Sequence, residues 1–413
     1  MYTVFKREHC FGMRADRASA DFRDLSVIFM VLAFGVVLDH TPCEEVARQN
    51  ASILASVPKG EERKKVEAFL RDKDAASMTL NRREEMSSFW ASLAKDSLIN
   101  AQSAAMGETI NSISAWVLVA WYSIHGRRAE EGWSVLGQAA RQAMASGFHI
   151  DASHRMFQST EMPAKEQEQR RRLWAHMVII DTSVSLYLGR PHAVFGGQQY
   201  TSQEPANIDS DQLHNTPPVN PDLVEAATEK NPWQLDLSVY PNNVRGQPLD
   251  HPTRSTFLIL HLRLAYVIGQ MQIRCFGLKQ RKHEKDVVEC ESMFEAWAQS
   301  LPPHFRMQDT DRSLDDMPAY HWLKHQRKNL HSKYYIARIS LHRPYLLATE
   351  QKTAEEETNE SQEVNPYAMS RDACYVSALA DLNLRTQTDD IDPLDQFKWM
   401  TVSSTILSSV LHS

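Results

Sequence analysis

A chain of 413 residues is long enough for one large helical domain or for two to three average ones. Apolar residues make up 42% and charged residues 23%, which excludes wholesale disorder and argues against fibrous or membrane classes. With 45 basic against 52 acidic side chains the net charge is -7, so the chain lacks the overall basic field of a nucleic-acid binder.

Fourteen glycines are about half the usual share, leaving few residues to close tight hairpins and favouring helices over sheets. The segment from Met1 to Ala20 mixes charges, unlike a secretory signal peptide. Leu25 to Leu38 is the longest apolar stretch. At 14 residues it falls short of the roughly 20 needed to cross a bilayer and reads as a core helix, so no membrane contact is expected. Cys10, Cys43, Cys275, Cys290 and Cys374 are scattered without a Cys-x-x-Cys pair, so neither a disulfide framework nor a metal cluster is expected. A reducing intracellular compartment fits best.

Apolar residues at three- and four-residue spacing predict helices from Phe22 to Asp39 and Glu44 to Val57, then from Arg83 to Ala105 and Glu108 to Ile124. Ala129 to Ser146 follows, joined through His125 to Arg128 as a helical hairpin and closed at Gly147. Glu166 to Leu188 is entered after Pro163 and stopped by Gly189 and Pro191. Eight of the 18 prolines fall between Pro205 and Pro252, and proline both lacks a backbone donor and disfavours helix in the residue before it. The expected organisation is therefore a helical half at 1–204, an irregular connection at 205–253 and a second helical half at 254–413. In that second half, helices are predicted at Arg254 to Phe276, Arg281 to Ser300, Pro318 to Leu347, Tyr367 to Leu384 and Asp392 to Leu411. An acidic, solvated loop is expected from Thr349 to Pro366. Alternation of period two is almost absent, so the fold class read from the sequence is all-α, a multi-helix bundle.

Phosphate loops, nucleophile elbows, zinc helices and calcium loops have no counterpart in the sequence. His321 and His325 have the i, i+4 spacing of metal ligands, but no glutamate base accompanies them, and with His331 further on they read as structural or solvent-facing. Cys275 and Cys290 read as small core residues. Arg170, Arg171 and Arg172 form the densest basic run. Four-residue spacing sets Glu166 against Arg170 and Glu168 against Arg172 as solvent-side ion pairs, a plainer reading than phosphate contact or nuclear import. Lys279, Arg281, Lys282 and Lys285 read in the same way, as a solvated helix start. Asp181 falls on the apolar stripe of its helix with Leu173, Trp174, Met177, Val178 and Leu188. A buried carboxylate requires a guanidinium partner in a structural ion pair, and Arg190, held just past the helix end by Gly189 and Pro191, is one candidate.

Glu168-Gln-Arg170-Arg171-Arg172-Leu173-Trp174, then Asp181, then Gly189-Arg190-Pro191, resembles the signature of the fungal-specific transcription factor domain, the middle homology region of fungal zinc-cluster regulators. Trp133, Gly137, Ala139, Ala140 and Arg141 leading into Ser146-Gly147-Phe148-His149 look like its upstream segment. Trp297 with Leu301-Pro302, and Leu341-His342-Arg343-Pro344, look like its second-half landmarks. Two positions depart from the pattern: Ala175 replaces a second tryptophan, and Glu204-Pro205 a leucine-proline. The six-cysteine zinc cluster has no counterpart, so no cofactor is expected for this chain and direct zinc-dependent DNA recognition is not expected of it.

The resemblance implies an all-helical regulatory module in the nucleus, controlling transcription by RNA polymerase II through a small-molecule effector or a protein co-regulator, as a homo- or heterodimer. The start close to a core helix suggests a truncated regulator. A stand-alone paralogue that dimerises with full-length regulators is the second reading. The third is an enzyme reusing the helical core as a pocket, with Asp181, His149 and Arg190 as its residues.

Overall fold

The computed structural model describes residues 21–38, 51–52, 55, 60, 63–64, 80–104, 107–152, 162–194, 200–215, 245–277, 284–353 and 366–386. The helix expected from Asp392 to Leu411 and most of that from Glu44 to Val57 lie outside them, as do Cys10, Cys43, Lys279, Arg281 and Lys282. Among the described residues the fold is all-α, and the one isolated backbone bridge joins Asn207 to Gly246. The chain divides into two compact units, Met1–Tyr122 and Ser123–Ser413.

In the first unit α1 (Phe22–Leu38) packs along α2 (Leu80–Ser103), and α3 (Ile110–His125) begins there. Met30 and Ala33 of α1, and Ala91, Ala94, Leu98 and Ala101 of α2, are buried. Small side chains on one face of α2 let a partner helix approach closely. The hydroxyl of Ser87 donates to the Ala33 carbonyl (2.8 Å) and lies 2.9 Å from the Tyr122 hydroxyl, and Phe29 stacks on Trp90.

The second unit holds α4 (Ala129–Ala145), α5 (Ala164–Leu188), α6 (Arg254–Phe276), α7 (Glu284–Gln299), α8 (Leu323–Thr353) and α9 (Pro366–Thr386). α4 packs on α5, α5 on α6, α6 on both α7 and α8, and α8 on α9. α6 is long and apolar enough to cross a membrane, but 78% of its apolar window is buried inside the protein, which makes it the core helix. Trp297 of α7 is fully buried, donates from Nε1 to the Leu260 carbonyl (3.2 Å) and stacks on Tyr334 of α8.

The helix ends follow the residue chemistry. Gly147 takes φ +76°, and the amide of Phe148 reaches back to the Ala143 carbonyl (2.9 Å), closing α4 in a left-handed turn. Gly189 closes α5 at φ +63°, with Arg190 N–H donating to Ser185 O (3.0 Å). Thr253 caps α6 in a reciprocal pair with Thr256.

The proline-rich connection is pinned at its two ends. Asn207, fully buried, donates from Nδ2 to the carbonyls of Gln247 (3.0 Å), Pro248 (3.1 Å) and His251 (3.3 Å), while its Oδ1 accepts from Thr253 (2.7 Å) and Thr256 (2.8 Å). Gly246 lies at φ +91°, where a Cβ would stand 2.7 Å from the Asn207 carbonyl oxygen.

The predicted helix from Pro318 to Leu347 is divided. Pro318–Tyr320 forms a 3₁₀ turn, closed by Tyr320 N–H to Met317 O (2.9 Å), and α8 begins only at Leu323. His321 therefore belongs to the turn, and it does not share a helix face with His325. α8 also runs on to Thr353, past the expected helix break at Thr349.

Candidate functional site in the buried charge network of α5

Of the run Glu168-Gln169-Arg170-Arg171-Arg172, α5 carries Glu168 and Arg171 into the interior of the second unit, where both are buried. Arg171 forms a fork with Asp151, Nε to Oδ2 and Nη2 to Oδ1, each at 2.8 Å, with side-chain exposures of 1% and 0%. Burial opposes the Arg171 charge, but Asp151 and Glu168 outweigh it and raise the guanidinium pKa. The same Asp151 carboxylate accepts the Gln203 amide (2.9 Å), which ties the segment after α4 to the residues entering the proline-rich connection.

Glu168 accepts the Ala206 amide (2.8 Å) and Arg172 Nε (3.2 Å) on Oε1, and its Oε2 lies 3.6 Å from Arg171 and 3.7 Å from Arg245. Arg172 also donates to the Ile208 carbonyl (2.7 Å). Arg263 of α6 forms a second fork with Glu204, both bonds at 3.0 Å, and Arg245 donates to the Glu204 carbonyl. Glu204, one of the two departures from the family pattern, is thus the carboxylate facing a buried arginine. Four guanidiniums, Arg171, Arg172, Arg245 and Arg263, meet three carboxylates, Asp151, Glu168 and Glu204. Burial and then the neighbouring Arg171 push the Arg245 pKa down to about 10.

The solvent-side reading of Glu168 with Arg172 is therefore corrected. Four-residue spacing makes the two neighbours, but Glu168 is fully buried and its pair forms part of the core. Glu166 with Arg170 is the more open pair, at 3.5 Å, and the Arg170 guanidinium lies 4.4 Å over the Phe148 ring. With Arg171 buried, the three arginines do not present a continuous basic patch. Lys285 is solvated, with its side chain 84% exposed.

Asp181 is fully buried, as its place on the apolar stripe requires, but its expected partner is not the one observed. Its carboxylate accepts the backbone amides of Ala193 (2.9 and 3.0 Å) and Val194 (2.8 Å). The left-handed turn at Gly189 returns the chain so that these amides point at the carboxylate, and charge-assisted bonds from N–H groups replace a guanidinium. Arg190 points the other way, to Glu130 (2.7 Å) and over the Trp133 ring (5.2 Å). Trp133 in turn donates to the Pro191 carbonyl (3.3 Å), so Gly189-Arg190-Pro191 clasps α4.

Trp174 is buried beside His149 and Tyr200, at ring distances of 6.4 and 5.2 Å, and burial lowers the His149 pKa. Asp181, His149 and Arg190, the residues of the enzyme reading, thus each engage a different set of partners. The second-half landmark His342 is buried between Glu291 of α7 (Nε2 to Oε2, 3.0 Å) and Ser370 of α9 (Nδ1 to Oγ, 3.1 Å). Burial would raise the Glu291 pKa, but His342 and Arg338 outweigh it and hold that carboxyl below the usual range. This three-helix clamp was missed in the sequence because Glu291 and Ser370 carry no motif of their own.

A binuclear zinc cluster needs six thiolates, and this sequence has five cysteines. Among the described residues no three His, Cys, Asp or Glu side chains converge to hold a metal ion.

Residues 26–299 match the family model of the fungal specific transcription factor domain. An uncharacterized transcriptional regulatory protein of Schizosaccharomyces pombe is 24% identical over 60% of this chain and 28% of its own length. The fusarisetin A cluster transcription factor of a Fusarium species is 26% identical over 52% of this chain and 24% of its own, and the pyrrolocin cluster transcription factor of a fungal species is 27% identical over 68% and 31%. The matched part of the chain thus spans about a quarter to a third of the length of these relatives. No solved structure matches. The matched region includes α5, with its buried arginines and the Gly189-Arg190-Pro191 turn, and the chain belongs to the fungal-specific transcription factor domain family.

Proposed function

We propose that this chain acts in the nucleus as a regulatory domain of a fungal transcription factor, its effect on transcription by RNA polymerase II set by a small-molecule effector or a protein co-regulator. The observation that carries the reading is the family match over residues 26–299. The engagement of the family's charged signature in holding the domain together agrees with it: Arg171 and Glu168 tie α5 to Asp151 and Ala206, and Asp181 holds the turn after α5. Such a module needs no cofactor of its own and does not itself carry the six cysteines of a DNA-binding zinc cluster. Fusion of the full chain to a heterologous DNA-binding domain tests the proposal. The fusion should localise to the nucleus and change the output of a reporter promoter several-fold relative to the DNA-binding domain alone. A folded, nuclear fusion that leaves the reporter unchanged, with and without extract from the source fungus, would refute it.

A further inference from the structure

Cys275 is the last residue but one of α6, and Cys290 closes the second turn of α7. Their Sγ atoms lie 3.6 Å apart and share a hydrogen bond, although nothing in their spacing marks them as a pair. Both are buried, Cys275 at 3% exposure and Cys290 at 0%, within the core cluster that holds Met271, Val287 and Phe294. One residue before each, Arg274 and Glu289 bond across the same two helices at 2.6 Å, so the helices are in register beside the thiols. A disulfide needs about 2.05 Å between sulfurs, so rotation about the two side chains has roughly 1.5 Å to close.

We propose that Cys275 and Cys290 are an oxidisable dithiol, which a small peroxide converts into a disulfide stapling α6 to α7. The Cys275 thiolate attacks one peroxide oxygen: an S–O bond forms, the O–O bond breaks, and hydroxide leaves and is protonated to water. Cys290, once deprotonated, attacks the Cys275 sulfur, forming S–S and breaking S–O, with release of a second water. Two thiols thus supply the two electrons that reduce one peroxide to two waters. Cys275 is the attacking group on two counts. It is the less buried of the two, and the hydrogen bond it shares with Cys290 lowers its pKa while the same bond, with burial, raises that of Cys290. Burial of both thiols excludes a bulky disulfide oxidant, which is why a small peroxide is the oxidant proposed. The assignment holds whether or not the chain regulates transcription.

The test is peroxide treatment of the reduced full-length chain, followed by alkylation in denaturant and peptide mapping. The expected product is a Cys275–Cys290 cross-linked peptide that a dithiol reductant reverses, and it should be scarce when glutathione disulfide replaces peroxide. Cys374 is the internal control: burial pushes its pKa up to about 12, and it should remain alkylatable. In Cys290→Ser the cross-link should vanish and Cys275 should be trapped as a sulfenic acid by dimedone added together with the denaturant. Cys290→Ala gives the same readout if the serine variant fails to fold. Recovery of both cysteines fully alkylated after peroxide, or of Cys275 cross-linked to a different cysteine, overturns the proposal.

Discussion

Replacing Asp151 with alanine removes both bonds of the Arg171 fork and the acceptor of the Gln203 amide. Arg171, at 1% side-chain exposure, then retains Glu168 at 3.6 Å and a long bond to Gln167 at 3.5 Å, neither of which replaces a paired fork. Breaking a buried ion pair by deleting one partner costs about 3–5 kcal/mol, because the remaining charge stays desolvated. Glu130→Ala is the internal comparison. It breaks the Arg190 pair, whose side chains are 40% and 73% exposed, and should cost at most about 1 kcal/mol. Urea unfolding followed by far-ultraviolet circular dichroism gives both losses from midpoint shifts at unchanged slope. The double variant Asp151→Leu with Arg171→Met should recover most of the loss, since it removes the orphaned charge and leaves apolar side chains of similar reach. An Asp151→Ala loss no larger than that of Glu130→Ala, or a double variant as unstable as the single one, would refute the account of a buried charge held by its partner.

Two glycines should respond in opposite directions to alanine. Gly246→Ala should cost about 2 kcal/mol or more, from a positive φ and a Cβ driven against the Asn207 carbonyl, whereas Gly137→Ala, with open space inside α4, should stabilise by roughly 0.5–1 kcal/mol in the same unfolding assay. Asn207→Asp turns a donor to three carbonyls into an anion facing them and should lower the thermal midpoint by several degrees, which differential scanning calorimetry will show. Burial lowers His331 to about 4 and His261 to about 3, from an ordinary 6.5. The unfolded chain therefore binds protons first as pH falls below about 6.5. Stability is then lost down to about 4 for His331, on the order of 3 kcal/mol, and further down to about 3 for His261. If folded, His331→Gln should flatten the measured stability-pH slope over the first of these windows.

The helices were legible because burial of one stripe imposes a three- and four-residue period, and their ends because Gly147 and Gly189 are residues that adopt positive φ cheaply. Asp181 on the stripe of α5 was also readable as buried. Its partner was not, since a guanidinium and two backbone amides satisfy a carboxylate equally well, and only the path of the turn after Gly189 decides between them. Glu168 shows a second limit. Spacing names Arg172 as its neighbour but does not state which way the pair faces, and the Ala206 amide that draws Glu168 inward comes from 38 residues along the chain. The contact of Cys275 with Cys290 depends on the angle at which α6 meets α7, and neither helix encodes that angle alone.

The distribution of the buried charges has its own logic. Apolar contact is non-directional, so the greasy faces of α5 and α6 would tolerate several pairings of the segments that cross them. The forks do not: Asp151 must meet Arg171, and Glu204 must meet Arg263, or a desolvated charge is left alone. Asn207 applies the same constraint with neutral groups, holding residues 245–253 against the start of the proline-rich connection. These polar residues fix which irregular segments close over α5, a choice that helix periodicity cannot make. Glu168, Arg171 and Arg172 of α5 accordingly reach Ala206, Asp151 and Ile208, all in irregular segments.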